Sequence, residues 1–244
     1  MPEKPLVKIL TEAGLGSRRR MADAIKQGKV KVNGAAAESF SYPIDPAKDK
    51  VVFNGRPVEL KAEKIIYLML HKPAGVISTV SDEKHRRTVI DILPETHRRH
   101  RLYPVGRLDI DTTGLLLLTN DGDLTYKLTH PRYEYEKEYF VAIRGVLKAE
   151  EKQQFRRGLL LEDGMTSPAK IREINEPPYN YSVIIHQGKK RQVRRMFEHL
   201  RYGVQALKRV RIGNLVLGDL PEGKVRPLSP EEIIGLLRRN NPSI

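Results

Sequence analysis

Apolar positions near the start of the chain recur at helical spacing, then switch to alternation. Leu6, Ile9, Leu10 and Ala13 line one helix face and Gly14 stops the run. Ser17 stands where a helix N-cap belongs, ahead of Met21, Ala24 and Ile25, and Gly28 ends that second run. Val30 and Val32 then alternate with Lys29 and Lys31 and meet Asn33-Gly34, a hairpin turn pair. A second pair, Asn54-Gly55, lies between Val51-Val52-Phe53 and Val58. Residues 1–61 therefore read as a small helix-helix-hairpin domain.

Residues 60–64 are polar and unpatterned and read as a linker, so the second domain is expected over residues 62–244. It opens with Ile65 to Leu70, a Lys72-Pro73-Ala74-Gly75 break and a further apolar step at Val76-Ile77, as in two strands around a turn. Strands are expected at 114–119, 139–143, 181–185 and 213–217, and helices at 124–128, 148–158, 191–200 and 230–239. Several connections are too short for crossover helices. The expected class is α+β, a mixed and mainly antiparallel sheet with flanking helices.

The chain has 244 residues, 39% of them hydrophobic, which is enough to bury a core. Lys and Arg number 44 against 30 Asp and Glu, a formal net charge of +14. A folded surface this basic attracts polyanions, with nucleic acid ahead of anionic membrane. Zero Cys excludes disulfides, Cys-ligated zinc and thiolate nucleophiles. No stretch approaches the roughly 18 apolar residues of a membrane span, and the first twelve residues lack a secretory pattern. A soluble, cytoplasmic protein is expected.

The charge is grouped. Ser17-Arg18-Arg19-Arg20 opens a helix, where the dipole disfavours cations but supports a bound phosphate. Further clusters stand at Arg98-Arg99-His100-Arg101, at Lys189-Lys190-Arg191 with Arg194-Arg195, and at Lys208-Arg209-Val210-Arg211. Each alone reads as a solvated face, but together they favour phosphate binding. Aromatics are only 6% with no Trp, so structured RNA or a pocket for one extruded base fits better than a broad stacking platform.

The candidate chemistry lies in residues 105–122. Four consecutive leucines, Leu115 to Leu118, describe a buried strand whose entrance is crowded by Arg107, Asp109, Asp111, Thr112 and Thr113. A carboxylate near an arginine stays ionised when partly desolvated, as a nucleophilic or basic Asp requires. The alternative is a turn in which Asp109 and Asp111 accept backbone N–H bonds. Zinc-hydrolase and P-loop patterns are missing, and Gly14-Leu15-Gly16 is only a fragment of a dinucleotide loop.

Gly106-Arg107-Leu108-Asp109 with Asp111-Thr112-Thr113-Gly114-Leu115 resembles the catalytic motif of the RsuA/RluB branch of ribosomal RNA pseudouridine synthases. The resemblance extends to Leu68 to Pro73, Glu136-Lys137-Glu138-Tyr139, Gly188 to Met196 and Arg226-Pro227-Leu228, and to an S4-type RNA-binding module in front. It implies an isomerase that converts uridine to pseudouridine without a cofactor or metal. By resemblance Asp109 is the essential carboxylate, Tyr139 packs on the uracil ring, Arg194 pairs with Asp109, and Arg107 fills the stack that the flipped uridine vacates. Arg191 and Arg195 compete with Arg194 for that pairing or contact phosphates. Arg18, Arg19 and Lys31 are the expected RNA contacts of the front module.

Residues 163–169 and 207–213 look closer to the large-subunit branch, so the expected partner is 23S ribosomal RNA, bound by a monomer. Three other readings stay open: a 16S ribosomal RNA enzyme, a non-catalytic ribosome-assembly factor using only the basic faces, and a glycosidase that would release free uracil.

Overall fold

The computed structural model describes residues 3–60 and 64–238. The chain divides into two compact units, residues 1–65 and 66–244. The centre of the expected linker, and with it the expected boundary between 61 and 62, lies outside the described residues.

In the first unit, strand β1 (Lys4–Pro5) leads into helices α1 (Leu6–Glu12) and α2 (Arg18–Lys26). Strands β2 (Val30–Val32), β3 (Ala35–Ala36), β4 (Pro43–Ile44), β5 (Val51–Phe53) and β6 (Arg56–Pro57) follow. The order β3-β2-β5-β6 makes an antiparallel four-stranded sheet, while β1 pairs with β4. Both Asn-Gly pairs take positive φ at each residue, which is what a two-residue hairpin turn demands. Leu6, Leu10, Met21, Ile25, Val30 and Ile44 close the core under the helices.

The second unit is built on β7 (Tyr67–Lys72), β8 (Tyr103–Pro104), β9 (Thr113–Thr119), β10 (Lys137–Ile143), β11 (Leu160–Leu161), β12 (Gly164–Met165), β13 (Lys170–Glu176), β14 (Tyr179–Ile185), β15 (Val204–Ile212), β16 (Leu215–Val216) and β17 (Val225–Pro227). Its helices are α3 (Glu95–Arg98), α4 (Gly122–Thr129), α5 (Ala149–Arg157), α6 (Gln192–His199) and α7 (Pro230–Leu237). The sheet runs β13-β14-β10-β15-β9-β7-β17, with β8 and β16 appended and β11-β12 a separate hairpin. Among the described residues every strand pairing of this sheet is antiparallel except β15 with β9, so the expected mixed, mainly antiparallel sheet is observed.

Both faces of the sheet are covered, which explains the unbroken leucine run. Leu116 and Leu118 face a core with Val141, Tyr181, Phe155 and Phe197, under α5 and α6. Leu115 and Leu117 face a second core with Leu124, Leu128 and Leu236, under α4 and α7. A strand buried on both sides loses its polar alternation.

Four features depart from the sequence pattern. The expected strand at 213–217 is instead a turn at 213–214 that folds the two-residue β16 back on β15. Val76-Ile77 is not a strand: Val76 is buried, and Ile77 forms only an isolated bridge to Thr88. The Gly75 turn (φ 80°) sends the chain beneath the 108–112 loop instead, where Gly75 N–H donates to Ile110 O. The basic stretch 208–211 is not a surface cluster but the end of β15 in mid-sheet, where Arg209 is 2% exposed. Strand β13 carries too few apolar residues to read as a strand and gains its regularity from pairing with β14.

Candidate active site

The parallel β9/β15 contact positions the site. Gly114 lies opposite Arg209 in that ladder at φ 106°, and a Cβ there would stand 2.2 Å from Arg209 O. Only glycine allows the two backbones to approach so closely and the loop before β9 to enter the sheet at that angle.

That loop, residues 108–112, is held by its backbone. Ser78 Oγ donates to Leu108 O at 2.9 Å and accepts from Leu108 N–H at 3.1 Å. Thr112 N–H donates to Asp109 O. Ile110 O accepts from Gly75 N–H and more distantly from Lys72 Nζ, which donates at 2.9 Å to Thr112 O. Arg194 Nη2 donates to Asp111 O at 3.0 Å. All five consecutive carbonyls thus have donors, and two of the donors are buried cations. Burial pushes the Lys72 ammonium down to about 8, against the opposing pull of Asp111 and then Asp109.

The two aspartates of the loop fare differently. Asp111 is bound by Arg191 and Arg194, each 3.3 Å from its carboxylate. Arg191 reaches it from a left-handed backbone (φ 51°) at the start of α6. Asp109 takes no hydrogen bond or ion pair through its carboxylate among the described residues, and it lines an open cavity of about 620 Å³. Such a volume is in the range of ligand clefts, roughly 300 to 1,000 Å³. The turn reading, with Asp109 tied to backbone N–H groups, does not describe it.

Six basic side chains line that cavity, Arg107, Lys137, Lys189, Lys190, Arg191 and Arg209, against two carboxylates, Asp109 and Glu134. Tyr139, 8% exposed, joins them from β10. Burial pushes the Lys137 amine down to about 8, and Arg209 adds to the effect. Lys189 also holds the β11-β12 turn, donating to Asp163 O, Gly164 O and Met165 O. No group of three or more His, Cys, Asp or Glu among the described residues is placed to hold a metal ion.

The structure therefore brings together Asp109, Tyr139, Arg107 and Arg191. Arg194 departs from its expected partner. Its guanidinium, 4% exposed, is engaged by Asp111 O and Val204 O behind the loop, so its carboxylate contact is Asp111 and not Asp109. Burial lowers its pKa, opposed by Asp111 first and by Asp109 to a lesser degree. Arg195 pairs with Asp163 at 2.9 Å on the β11-β12 turn and does not compete for Asp109. Arg18, Arg19 and Lys31 belong to the first unit and are exposed, and no ion pair of the described residues uses them. Ser17 Oγ caps α2 by accepting from Arg20 N–H. Ser78 has no role in the sequence analysis, and Lys72 and Arg209 stand there without a role of their own, Lys72 within the Leu68 to Pro73 motif and Arg209 within the basic stretch 208–211. Lys72 and Arg209 could have been found as cations inside strand-like runs, where charge is costly without a purpose.

Residues 66–199 match a family model described as RNA pseudouridylate synthase, and residues 4–51 match the S4 domain. The chain is 42% identical over 232 residues to ribosomal large subunit pseudouridine synthase B of Bacillus subtilis, covering 93% of each chain. It is 35% identical over 234 residues to the dual-specificity RNA pseudouridine synthase RluF of Escherichia coli, covering 96% of this chain and 78% of that one. A crystal structure of a pseudouridylate synthase superposes with a TM-score of 0.68 at 34% identity, covering 96% of this chain and 99% of the other.

Proposed function

The chain belongs to the RNA pseudouridylate synthase family, and from that premise we propose that it isomerises a uridine of the large-subunit ribosomal RNA, with Asp109 as the reacting carboxylate. The observation that carries this reading is the contrast within one loop. Its carbonyls are all held, yet the Asp109 carboxylate is left unbonded in a cationic cleft. Fixed backbone with a free functional group is what positioning a reactive atom requires.

A uridine stacked in RNA cannot offer its C1′ to a carboxylate, so the nucleotide is extruded first, at a cost of a few kcal/mol, about that of unstacking one base. The exposed Arg107 at the cavity is suited to fill the vacated stack, and Tyr139 to pack on the uracil. Asp109 then bonds C1′ or takes the C2′ proton, and the C1′–N1 electron pair leaves with the base. After the ring turns, C5 bonds C1′ as the Asp109–C1′ bond breaks or, on the other route, as Asp109 returns its proton to C2′; the C5 proton is then lost and N1 gains one. Bonds and electrons balance within the nucleotide, so the reaction calls for no redox partner. Arg194 acts here by holding the loop, through its bond to Asp111 O and its ion pair with the Asp111 carboxylate.

The large-subunit assignment is supported by the relative from Bacillus subtilis named above. The basic first turn of α2 supports RNA binding by the first unit. Mapping pseudouridine in ribosomal RNA from cells with and without this protein tests the reading. One large-subunit position should lose its pseudouridine; an unchanged map would leave only an RNA-binding role.

A further inference from the structure

Two cations that line the cavity, the buried Arg209 and the partly exposed Lys137, have no place in the chemistry above. Successive residues of a strand alternate faces, so Lys137 and Tyr139 of β10 point the same way. Arg209 of β15 lies directly opposite Tyr139, and all three line the cavity with Asp109. Between these strands the register shifts at Glu138/Tyr139, so that Glu138 pairs with Arg211 and Tyr139 with Arg209, leaving Val210 as the extra residue. The consequence is a separation of two arginines only two positions apart. Arg211 takes the carboxylates Glu136 and Glu138, at 3.1 and 2.9 Å, on the other face of β10. Arg209 is turned to the cavity, where it has none. Bulges beside active sites commonly re-aim a side chain in this way.

The cations that result are poorly matched. Arg209, 2% exposed, donates through Nε to Leu115 O at 2.8 Å, and its Nη2 is buried without a hydrogen-bond partner among the described residues. Lys137 Nζ donates to Tyr135 O at 3.1 Å, and the neighbouring charge that acts on it is Arg209, a like charge. Two desolvated cations side by side, one with an idle donor, destabilise the resting chain and favour any anion that comes between them.

Resting on the isomerase reading, we propose that Lys137 and Arg209 form an anion hole that holds the uracil ring through O2 while it is detached from the ribose. Uridine and pseudouridine are both neutral at the base. When C1′–N1 breaks, its electron pair stays on the uracil and is shared between N1 and O2. The negative charge on the ring exists only between bond breaking and the new C5–C1′ bond. Cations aimed at that charge stabilise the reacting state over substrate and product, which accelerates the reaction. A backbone phosphate is a poorer occupant of the space between these two cations. It stays joined to the RNA outside, where the exposed Arg107 and Lys190 are available.

The test uses the full chain and a ribosomal RNA fragment carrying uridine or 5-fluorouridine at the position that the wild-type chain modifies. Fluorine withdraws electrons and makes the detached ring a more stable anion, so it substitutes for part of the anion hole. Lys137→Met should lower the single-turnover rate at saturating enzyme by about 100-fold on uridine, the scale of one oxyanion donor. RNA affinity should stay within about twofold, and the loss of N1-linked 5-fluorouridine should slow by only about tenfold. Lys137→Arg, which restores the cation, should recover most of the rate and also guards against a folding defect. Equal losses on both substrates, or weakened affinity with an intact saturated rate, would overturn the anion hole and indicate a packing or phosphate role. A wild-type chain that forms no pseudouridine would instead remove the isomerase reading itself.

Discussion

Two short charged segments of this chain, the basic first turn of α2 and the aspartate-bearing stretch from Arg107 to Thr113, are handled in opposite ways. In α2 the arginines at 18, 19 and 20 are exposed, and no acidic residue occupies that first turn. In the loop, Lys72 and Arg194 are buried and spend their donors on main-chain carbonyls, holding one aspartate and leaving the other unbonded. The first arrangement offers charge without fixing geometry. The second fixes geometry and reserves a single charge. Long-range attraction to RNA needs only the former, whereas bringing an oxygen to within bonding reach of a ribose carbon needs the latter.

Changes at the loop should therefore cost structure or rate, and changes at α2 only affinity. The largest effect is expected for Gly114→Ala. Strain at φ 106° and a 2.2 Å clash with Arg209 O should destabilise the second unit, by about 3 to 5 kcal/mol. Denaturant titration would register it, and a loss below 1 kcal/mol would mean that the strands can part there. Next comes Lys72→Met, which withdraws the donor from Thr112 O. The saturated single-turnover rate should fall by about 100-fold, the cost of displacing a reacting group by roughly 1 Å, with RNA affinity unchanged.

Acidity sharpens the same contrast. Lys72 and Lys137 are both held near 8, so each ammonium is charged below that pH and neutral above it. The saturated rate should be level up to about pH 8 and decline as pH rises further. Lys137→Arg separates the two lysines, because Arg107, Arg191, Arg209, Asp109, Glu134, His130 and His186 around the cavity are common to both chains. If the decline moves to higher pH, Lys137 sets it; if it stays, Lys72 does. The smallest effect is expected at α2. Replacing Arg18 and Arg19 with Gln should weaken RNA binding and reduce the slope of log affinity against log salt by about 1.5, while the saturated rate remains.

How much of this could be read from residues alone depended on what hid the signal. The Asn-Gly turns and the Ser17 cap are local chemistry and were legible. So was the buried strand at Leu115 to Leu118, since few other structures need four leucines in a row. Strand β15 was hidden because Lys208, Arg209 and Arg211 make it look like a surface cluster. Their sorting to opposite faces depends on a bulge that only the pairing with β10 creates. Val76-Ile77 misled in the other direction, being apolar because it is buried under the loop, not because it is a strand. Asp109 was nominated as the essential carboxylate, and the structure places it on the cavity wall. Which aspartate Arg194 would hold was not legible, because sequence spacing carries no information on which of two neighbouring carboxylates faces that guanidinium.

The claim on which the account turns is that the two aspartates of one loop divide their work, Asp111 to hold and Asp109 to react. It is tested most directly by single-turnover pseudouridine formation at saturating enzyme for Asp109→Asn and Asp111→Asn, with RNA affinity measured in parallel. Asp109→Asn should bind RNA as the wild type does and form no detectable pseudouridine. Asp111→Asn should bind equally and retain a reduced, measurable rate. The opposite ranking, or a clearly active Asp109→Asn chain, would contradict it.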